Sequence, residues 1–197
     1  LRPFRLKIRV RIASEPCILA CCFPDVAPYR PMKIKKSPPP PWPFLFLSPH
    51  HFFACGLGSG LSPWASGTTG TLFAWLAYPL LRLALPGDIG FAAFLAVAFA
   101  YGVLACDRTG KALGVADHGA IVWDEIVPFW CVLFLTPATL PWQLAAFLLF
   151  RFFDIVKPPP ANWFDNHMKN GFGVMMDDAV AAGFSILVIF GAKAWLG

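Results

Sequence analysis

Long apolar stretches separated by short polar connectors make up most of this chain. The apolar stretches predict helices, which we place at residues 71–86, 89–106, 121–136, 141–153 and 179–196. Several of them are shorter than the roughly 20 residues that a helix needs to cross a bilayer. We therefore expect some of these helices to be tilted, to cross only part of the membrane, or to be buried against one another.

A glycine- and serine-rich segment at residues 56–70 precedes the first predicted helix, and it follows an aromatic segment that is broken by Pro49. Backbone N–H groups in a loop that leads into a helix N-terminus can bind an anion. The segment lacks the Lys-Ser/Thr pair of a P-loop and no strand precedes it, so a nucleotide-binding fold is not expected. We predict a loop here, and tight turns without a ligand are the alternative interpretation. The candidate phosphate ligands are Gly58, Ser59, Gly60, Gly67, Thr68 and Gly70.

The composition narrows the class of protein. The chain has 197 residues, of which 57% are hydrophobic and 14% are charged, and its mean hydropathy is +0.61. Soluble domains average about 25% charged residues. This excess of apolar residues excludes a disordered protein, a coiled coil and an ordinary soluble enzyme. We predict an all-α fold: a compact membrane protein with four to five apolar helices and a glycine-rich N-terminal loop.

The net charge of +5 comes from the N-terminal segment. Residues 1–36 hold nine basic and two acidic residues, whereas residues 37–197 hold seven basic and nine acidic residues. Without a basic stripe in the body of the chain, nucleic-acid binding is not expected. We predict a basic, proline-rich tail at residues 1–43, with the natural start near Met32, and one helical domain at residues 44–197.

The charged residues of the body fall mainly in two predicted connectors, at residues 107–120 and 154–178. If the lysine-rich N-terminal segment is cytoplasmic and all five helices cross, both connectors lie on the cytoplasmic side. The excess of basic residues in cytoplasmic loops agrees with this topology. The basic residues concerned are Arg108, Lys111, Lys157 and Lys169 in the connectors, and Arg151 at the end of the helix that precedes the second connector.

Two adjacent pairs of acids lie within or beside apolar segments. Asp124 and Glu125 form one pair, and Asp177 and Asp178 form the other. An ionised carboxylate near hydrocarbon persists with a partner, a metal or a water-filled cavity. Carboxylate oxygens suit Mg²⁺, so the pairs indicate a magnesium site. The alternative is that they are helix-end acids facing headgroup water.

Arg151, Asp154 and Lys157 follow one another at intervals of three residues, which places them on one face of a helix. Pro158 must end this helix, and it favours an extended backbone at Lys157. The functional interpretation is a metal ligand beside cations that bind phosphate oxygens. The alternative is a self-neutralising helix end that anchors the chain at the membrane surface.

Four blocks of sequence, in order, resemble the phosphatidylglycerophosphatase A family. The blocks are residues 56–63 with 67–70, residues 118–125, residues 151–158 with Asp165, and residues 171–178 with 182–183. The resemblance covers about residues 44–197. Pro128 and Asn170 stand where the family pattern leads us to expect glycine.

The resemblance implies an all-α, Mg²⁺-dependent lipid phosphatase of the bacterial inner membrane, and the predicted topology puts its active site on the cytoplasmic side. Its substrate would be phosphatidylglycerophosphate, and its products phosphatidylglycerol and phosphate, in the last step of phosphatidylglycerol synthesis. In this interpretation Asp124, Glu125, Asp177 and Asp178 hold Mg²⁺, and Asp154 is a further ligand or a general base. Lys157 binds phosphate oxygens, Arg151 assists, and Asp165 is a ligand or an orienting residue.

Two other functions compete with this interpretation. A cation or proton transporter would also place carboxylates within apolar segments. Against a transporter, the acids fall on one side of the predicted topology and no inverted repeat is evident. A non-catalytic subunit of a membrane assembly would tolerate alanine at Asp177 and Asp178.

Overall fold

The computed structural model describes residues 38–196, and within this range all regular secondary structure is helical. The α-helices are α1 (Pro49–Ala54), α2 (Ser66–Ala84), α3 (Asp88–Leu113), α4 (Trp123–Leu135), α5 (Leu140–Val156), α6 (Ala161–His167) and α7 (Gly171–Leu196). Two 3₁₀ helices span Trp42–Leu47 and Gly56–Leu61. The prediction of an all-α fold is confirmed. The predictions for the tail fall mostly outside the described residues, which begin at Pro38.

Helix α4 lies at the centre of the fold and packs against α2, α3, α5 and α7. The Trp123 indole N–H donates to the Ala98 carbonyl of α3 at 3.1 Å, and that of Trp130 donates to the Ala74 carbonyl of α2 at 2.9 Å. A buried indole N–H without an acceptor would be costly, so these bonds hold α4 between its neighbours. The same packing places Asp124, in the first turn of α4, inside the protein.

The five predicted apolar segments coincide with α2, α3, α4, α5 and α7, but several boundaries differ. Helix α7 begins at Gly171, so Asp177 and Asp178 lie within a helix and not in the predicted connector. Asn170 explains the earlier start, because its side-chain oxygen accepts the Gly173 backbone N–H at 2.9 Å. Asparagine is a favourable N-cap residue. The residue found in place of the expected glycine therefore caps the helix.

The prediction of a loop over residues 56–70 is wrong for residues 66–70, which form the first turns of α2. Gly56–Leu61 is assigned as 3₁₀ but is kinked at Leu57 and Gly58, whose φ angles of 57° and 104° are not helical. Helix α2 begins at Ser66, so Gly67 and Gly70 lie in its first two turns. A side chain at Gly70 would place its Cβ 2.8 Å from the Cβ of Val122. Glycine is needed there for the close approach of α2 to the start of α4, and not for a flexible loop.

Helices α3 and α7 are the two helices within residues 38–196 that are long and apolar enough to cross a membrane. Each has 26 residues. At 1.5 Å per residue such a helix is about 39 Å long, which exceeds the roughly 30 Å of a bilayer's hydrocarbon core. Length and composition alone support this assignment, and crossing by all five predicted segments is not confirmed.

Candidate active site

The predicted acidic residues meet where α2, α4 and α7 begin and where α5 ends. Asp124 in α4 and the two aspartates of α7, Asp177 and Asp178, are buried, with 3–6% of their surface exposed. Glu125 and Asp154 are also largely enclosed, with side chains 14% and 12% exposed. The tertiary structure thus joins acids that are more than 50 residues apart in the sequence.

Arg151 connects the acids of α4 and α5. Its Nη1 atom lies 3.0 Å from Glu125 Oε2 and 2.8 Å from Asp154 Oδ2. Asp154 lies in the last turn of α5 and Arg151 one turn earlier, on the same face, as the spacing predicts. The Arg151 side chain is only 15% exposed, so both ion pairs are shielded from water.

Lys157 connects the end of α5 to α7. Its Nζ atom lies 2.6 Å from Asp177 Oδ2 and 3.5 Å from Asp165 Oδ1 of α6. The predicted extended backbone at Lys157 is wrong: its φ of 47° and ψ of 62° are left-handed. This conformation is unfavourable for a residue with a Cβ. It lets the Lys157 N–H donate to the Phe153 carbonyl at 2.8 Å and close the helix while Nζ reaches Asp177.

The electrostatic environment differs between the cations and the acids. Burial lowers the pKa of Lys157, but the Asp177 carboxylate and the hydrogen bond to it outweigh burial, so the net shift is upward. Burial raises the pKa of Glu125 to about 7, although the Arg151 guanidinium acts to lower it. Lys157 is thus held in its charged form, whereas burial opposes ionisation of Glu125.

The pKa of Asp124 is raised by burial and by the negative charges of its acidic neighbours. Burial raises its pKa well above the usual value, and the negative charges of Glu125, Asp117, Asp177 and Asp154 raise it further. Asp124 forms no ion pair with any described residue. Its Oδ1 atom accepts the backbone N–H of Glu125 at 3.1 Å. An added cation would relieve this concentration of like charge.

The carboxylate side chains do not surround one point in this structure. Within residues 38–196, no three His, Cys, Asp or Glu side chains are grouped closely enough to hold a metal ion. Arg151 and Lys157 instead occupy oxygens of Glu125, Asp154 and Asp177. Metal binding by these residues accordingly remains a prediction.

One donor of Arg151 has no acceptor. Its Nε–H group is buried and forms no hydrogen bond with any described residue. Buried polar groups in native proteins are almost always paired, and an unpaired one needs an explanation. A phosphate oxygen is the kind of acceptor that a guanidinium prefers.

The predicted phosphate ligands lie in different parts of the structure, and only Gly67 lies against a carboxylate of the site. Gly67 lies at the start of α2 against the Glu125 carboxylate, since a Cβ at this position would be 2.7 Å from Glu125 Cδ. Helix N-termini favour negative charge, so this one already faces an anionic side chain. Ser59 Oγ donates to the Gly56 carbonyl at 2.8 Å, and Gly60 lines a separate cavity of about 170 Å³. The remaining candidates, Gly58, Thr68 and Gly70, make no contact that tests the prediction.

Sequence analysis missed two residues of this region. Thr71, which is fully buried, has its hydroxyl within hydrogen-bonding distance of both Glu125 and Arg151. Asp117 is exposed and contributes negative charge to Asp124, Lys157 and Asp177. In the sequence, each of these two residues lies next to a recognised motif, but neither belongs to a regular spacing that would have indicated a role in the site.

Comparisons with known proteins identify a family for this chain. A family model described as phosphatidylglycerophosphatase A matches residues 52–193. A relative named phosphatidylglycerophosphatase A from Haemophilus influenzae is 46% identical over 152 residues, covering 76% of this chain and 92% of the relative. A relative of the same name from Escherichia coli is 39% identical over 144 residues, covering 73% and 83%.

A third relative has a different name. It comes from Bacteroides thetaiotaomicron, is 38% identical over 148 residues and covers 72% of this chain and 92% of its own length. It is named "Putative phosphatidylinositol-3-phosphatase". No solved structure matches the chain.

The family model and the two relatives named phosphatidylglycerophosphatase A place this all-helical chain among the phosphatases. The chain belongs to the phosphatidylglycerophosphatase A family. Membership favours the phosphatase over the transporter and over the non-catalytic subunit.

Proposed function

We propose that this protein is a Mg²⁺-dependent phosphatase that hydrolyses the terminal phosphate monoester of phosphatidylglycerophosphate to phosphatidylglycerol and phosphate. The observation that carries the proposal is the buried contact of Arg151 and Lys157 with the carboxylates of three helices. The names of the relatives from Haemophilus influenzae and Escherichia coli support the choice of substrate.

The chemistry of the donor set fits Mg²⁺. Five buried or largely buried carboxylates face two basic side chains, which leaves a formal excess of three negative charges. All of these acids offer only oxygen, the ligand that Mg²⁺ prefers. Asp124, Glu125, Asp177 and Asp178 would hold the ion, and Asp154 would be a further ligand or the general base. A bound Mg²⁺ supplies Lewis-acid neutralisation of the phosphate oxygens.

The protein's cations have the complementary role of binding the substrate. Phosphate-monoester hydrolysis depends mainly on positioning and on neutralising charge at the transferring group. The Nε–H of Arg151, which has no partner among the described residues, would donate to one phosphate oxygen, and Lys157 would bind another. As general base, Asp154 would take a proton from the attacking water as the water oxygen bonds to phosphorus and the P–O bond to glycerol breaks, and this proton would pass to the departing glycerol oxygen. Asp165, beside Lys157, would orient that lysine.

We further infer that the protein lies in the bacterial inner membrane, with several crossings and the site on the cytoplasmic side. Helices α3 and α7 support this placement. The outer faces of α2 and α5 add to it, since they expose large apolar side chains at helical spacing. These residues are Leu72, Leu76, Leu80 and Leu83 in α2, and Leu140, Leu144, Leu148 and Phe152 in α5.

The test is phosphate release by purified protein in detergent, with Mg²⁺ or with EDTA. Three substrates are compared: phosphatidylglycerophosphate, phosphatidylinositol 3-phosphate and phosphatidic acid. We expect Mg²⁺-dependent release that is fastest with the first. Asp178→Asn should abolish it, whereas Asp88→Asn should not, because Asp88 is an exposed acid paired with Arg82 outside the site. Release that is equally fast in EDTA, or confined to the phosphoinositide, would contradict the proposal.

A further inference from the structure

Thr71 makes three contacts at the point where α2, α4 and α5 meet. Its hydroxyl oxygen lies 2.9 Å from the Gly67 carbonyl, 3.3 Å from Glu125 Oε2 and 3.4 Å from Arg151 Nη1. The residue is fully buried, so no bulk water reaches the hydroxyl. A single oxygen therefore touches both members of the Glu125–Arg151 ion pair.

The hydroxyl has more partners than a structural threonine needs. A hydroxyl offers one proton and two acceptor lone pairs. A bond to the carbonyl four residues earlier is common for threonine in helices, and it would satisfy the proton. Thr136 has only that bond, to the Val132 carbonyl at 2.7 Å. Thr71 additionally accepts from Arg151 and lies within reach of a carboxylate oxygen of Glu125.

We propose that Thr71 is a positioning residue of the active site, which holds the Glu125 carboxylate and the Arg151 guanidinium in the arrangement that receives Mg²⁺ and phosphate. This inference rests on the proposed function, in which Glu125 is a metal ligand and Arg151 binds phosphate. Thr71 itself touches neither.

The surroundings explain why a hydroxyl is required at this place. The start of α2 lies against the Glu125 carboxylate at Gly67 and leaves no room for a side chain. Arg151 Nη1 is shared between Glu125 and Asp154, so the ion pairs alone permit the guanidinium to shift toward either acid. The Thr71 oxygen provides a third, uncharged contact that selects one position. Loss of a hydrogen-bonding partner of a metal ligand typically costs about 10- to 100-fold in metal affinity or activity.

The test compares Thr71→Val, which removes the hydroxyl at nearly constant shape, with Thr71→Ser, which keeps it. Thr136→Val is the matched control, because it removes the same helix bond from a buried threonine outside the site. Mg²⁺ binding is measured by calorimetry without substrate, together with kcat, KM and thermal unfolding. We expect Thr71→Val to weaken Mg²⁺ binding about tenfold or more and to lower kcat/KM. Thr71→Ser should restore both, and Thr136→Val should leave both unchanged.

The outcomes separate this inference from the proposed function. If the wild-type protein binds no Mg²⁺ and releases no phosphate from phosphatidylglycerophosphate, the proposed function is wrong. If the wild-type protein is active and Thr71→Val matches it in Mg²⁺ affinity and kcat/KM, the positioning role is wrong. Equal losses in Thr71→Val and Thr136→Val would also overturn that role. If Thr71→Val does not fold, Thr71→Ala against Thr71→Ser makes the same comparison.

Discussion

Lys157 Nζ lies 2.6 Å from Asp177 Oδ2, and this contact joins the end of α5 to the second turn of α7. The two residues belong to different sequence motifs, 20 positions apart. The contact turns two separate motifs into one site, because it places a cation suited to phosphate beside an acid suited to a metal. It also explains why a left-handed backbone is retained at Lys157, directly before a proline.

Lys157→Ala should act mainly on substrate binding. A hydrogen bond to a charged group contributes about 1.5–3 kcal/mol, so KM should rise about 10- to 100-fold. The Mg²⁺ requirement should not rise, because a cation is no ligand for Mg²⁺ and its removal frees an Asp177 oxygen. Steady-state kinetics at several Mg²⁺ concentrations check both points. Lys193→Ala, at an exposed lysine near the end of α7, is the control, and an equal KM in the two variants would rule out this role.

Asp124→Asn and Asp177→Asn should each lower turnover about 10²- to 10³-fold, the usual effect of removing one strong electrostatic contact. Each substitution keeps the volume and removes one charge, so folding should survive. Excess Mg²⁺ should partly restore activity, because a weakened site can be filled by mass action. Phosphate release titrated with Mg²⁺ measures this. Wild-type turnover and an unchanged Mg²⁺ dependence in both variants would refute the assignment of these ligands.

Gly67→Ala should impair activity more than folding. The added Cβ would meet the Glu125 carboxylate, which can move, but only by leaving its present position against α2. Gly191→Ala in α7 is the control, since nothing lies within 4 Å of a Cβ there. Alanine in an open helical position stabilises by about 0.5–1 kcal/mol. Thermal unfolding and phosphate release of both variants measure the effects on stability and on activity. Full activity of Gly67→Ala would contradict the close contact.

Lys111 and Lys169 should be accessible from the cytoplasmic side only. Both line one cavity of about 240 Å³ between the end of α3 and the start of α7, which places the two predicted cytoplasmic connectors together. Single cysteines at these positions, in a chain whose six native cysteines are replaced, report their side by labelling intact cells. Labelling of either one by an impermeant reagent from the periplasm would disprove the topology.

His118 should destabilise the protein at acidic pH. Burial lowers its pKa, although Asp117 acts in the opposite direction, and its Nδ1 accepts the Ala120 N–H at 3.1 Å. The unfolded state then binds a proton at a higher pH than the folded state, so stability is present above about pH 6.5 and declines as the pH falls below it. His118→Asn keeps an acceptor for the same N–H without titrating. Its unfolding temperature should fall less between pH 7 and pH 5 than that of the wild type, and an equal fall would reject this explanation.

The sequence by itself determined the all-helical fold, the approximate positions of five helices and the family. These features are local. We can identify an apolar stretch, a proline that ends a helix or a motif of adjacent residues without knowing what they pack against. The same locality explains the correct placement of Arg151 and Asp154 on one face of α5.

Only the tertiary structure decided which acid pairs with which cation. The packing of α2, α5 and α7 around α4 decides these contacts. It brings Arg151 to Glu125 and Lys157 to Asp177, and it places Thr71 beside the first of these pairs. Contacts between distant segments leave no periodic signal in a single sequence, because each partner is consistent with many surroundings. For the same reason, the glycines of residues 56–70 suggested a loop, whereas the structure uses Gly67 and Gly70 to let helices approach closely.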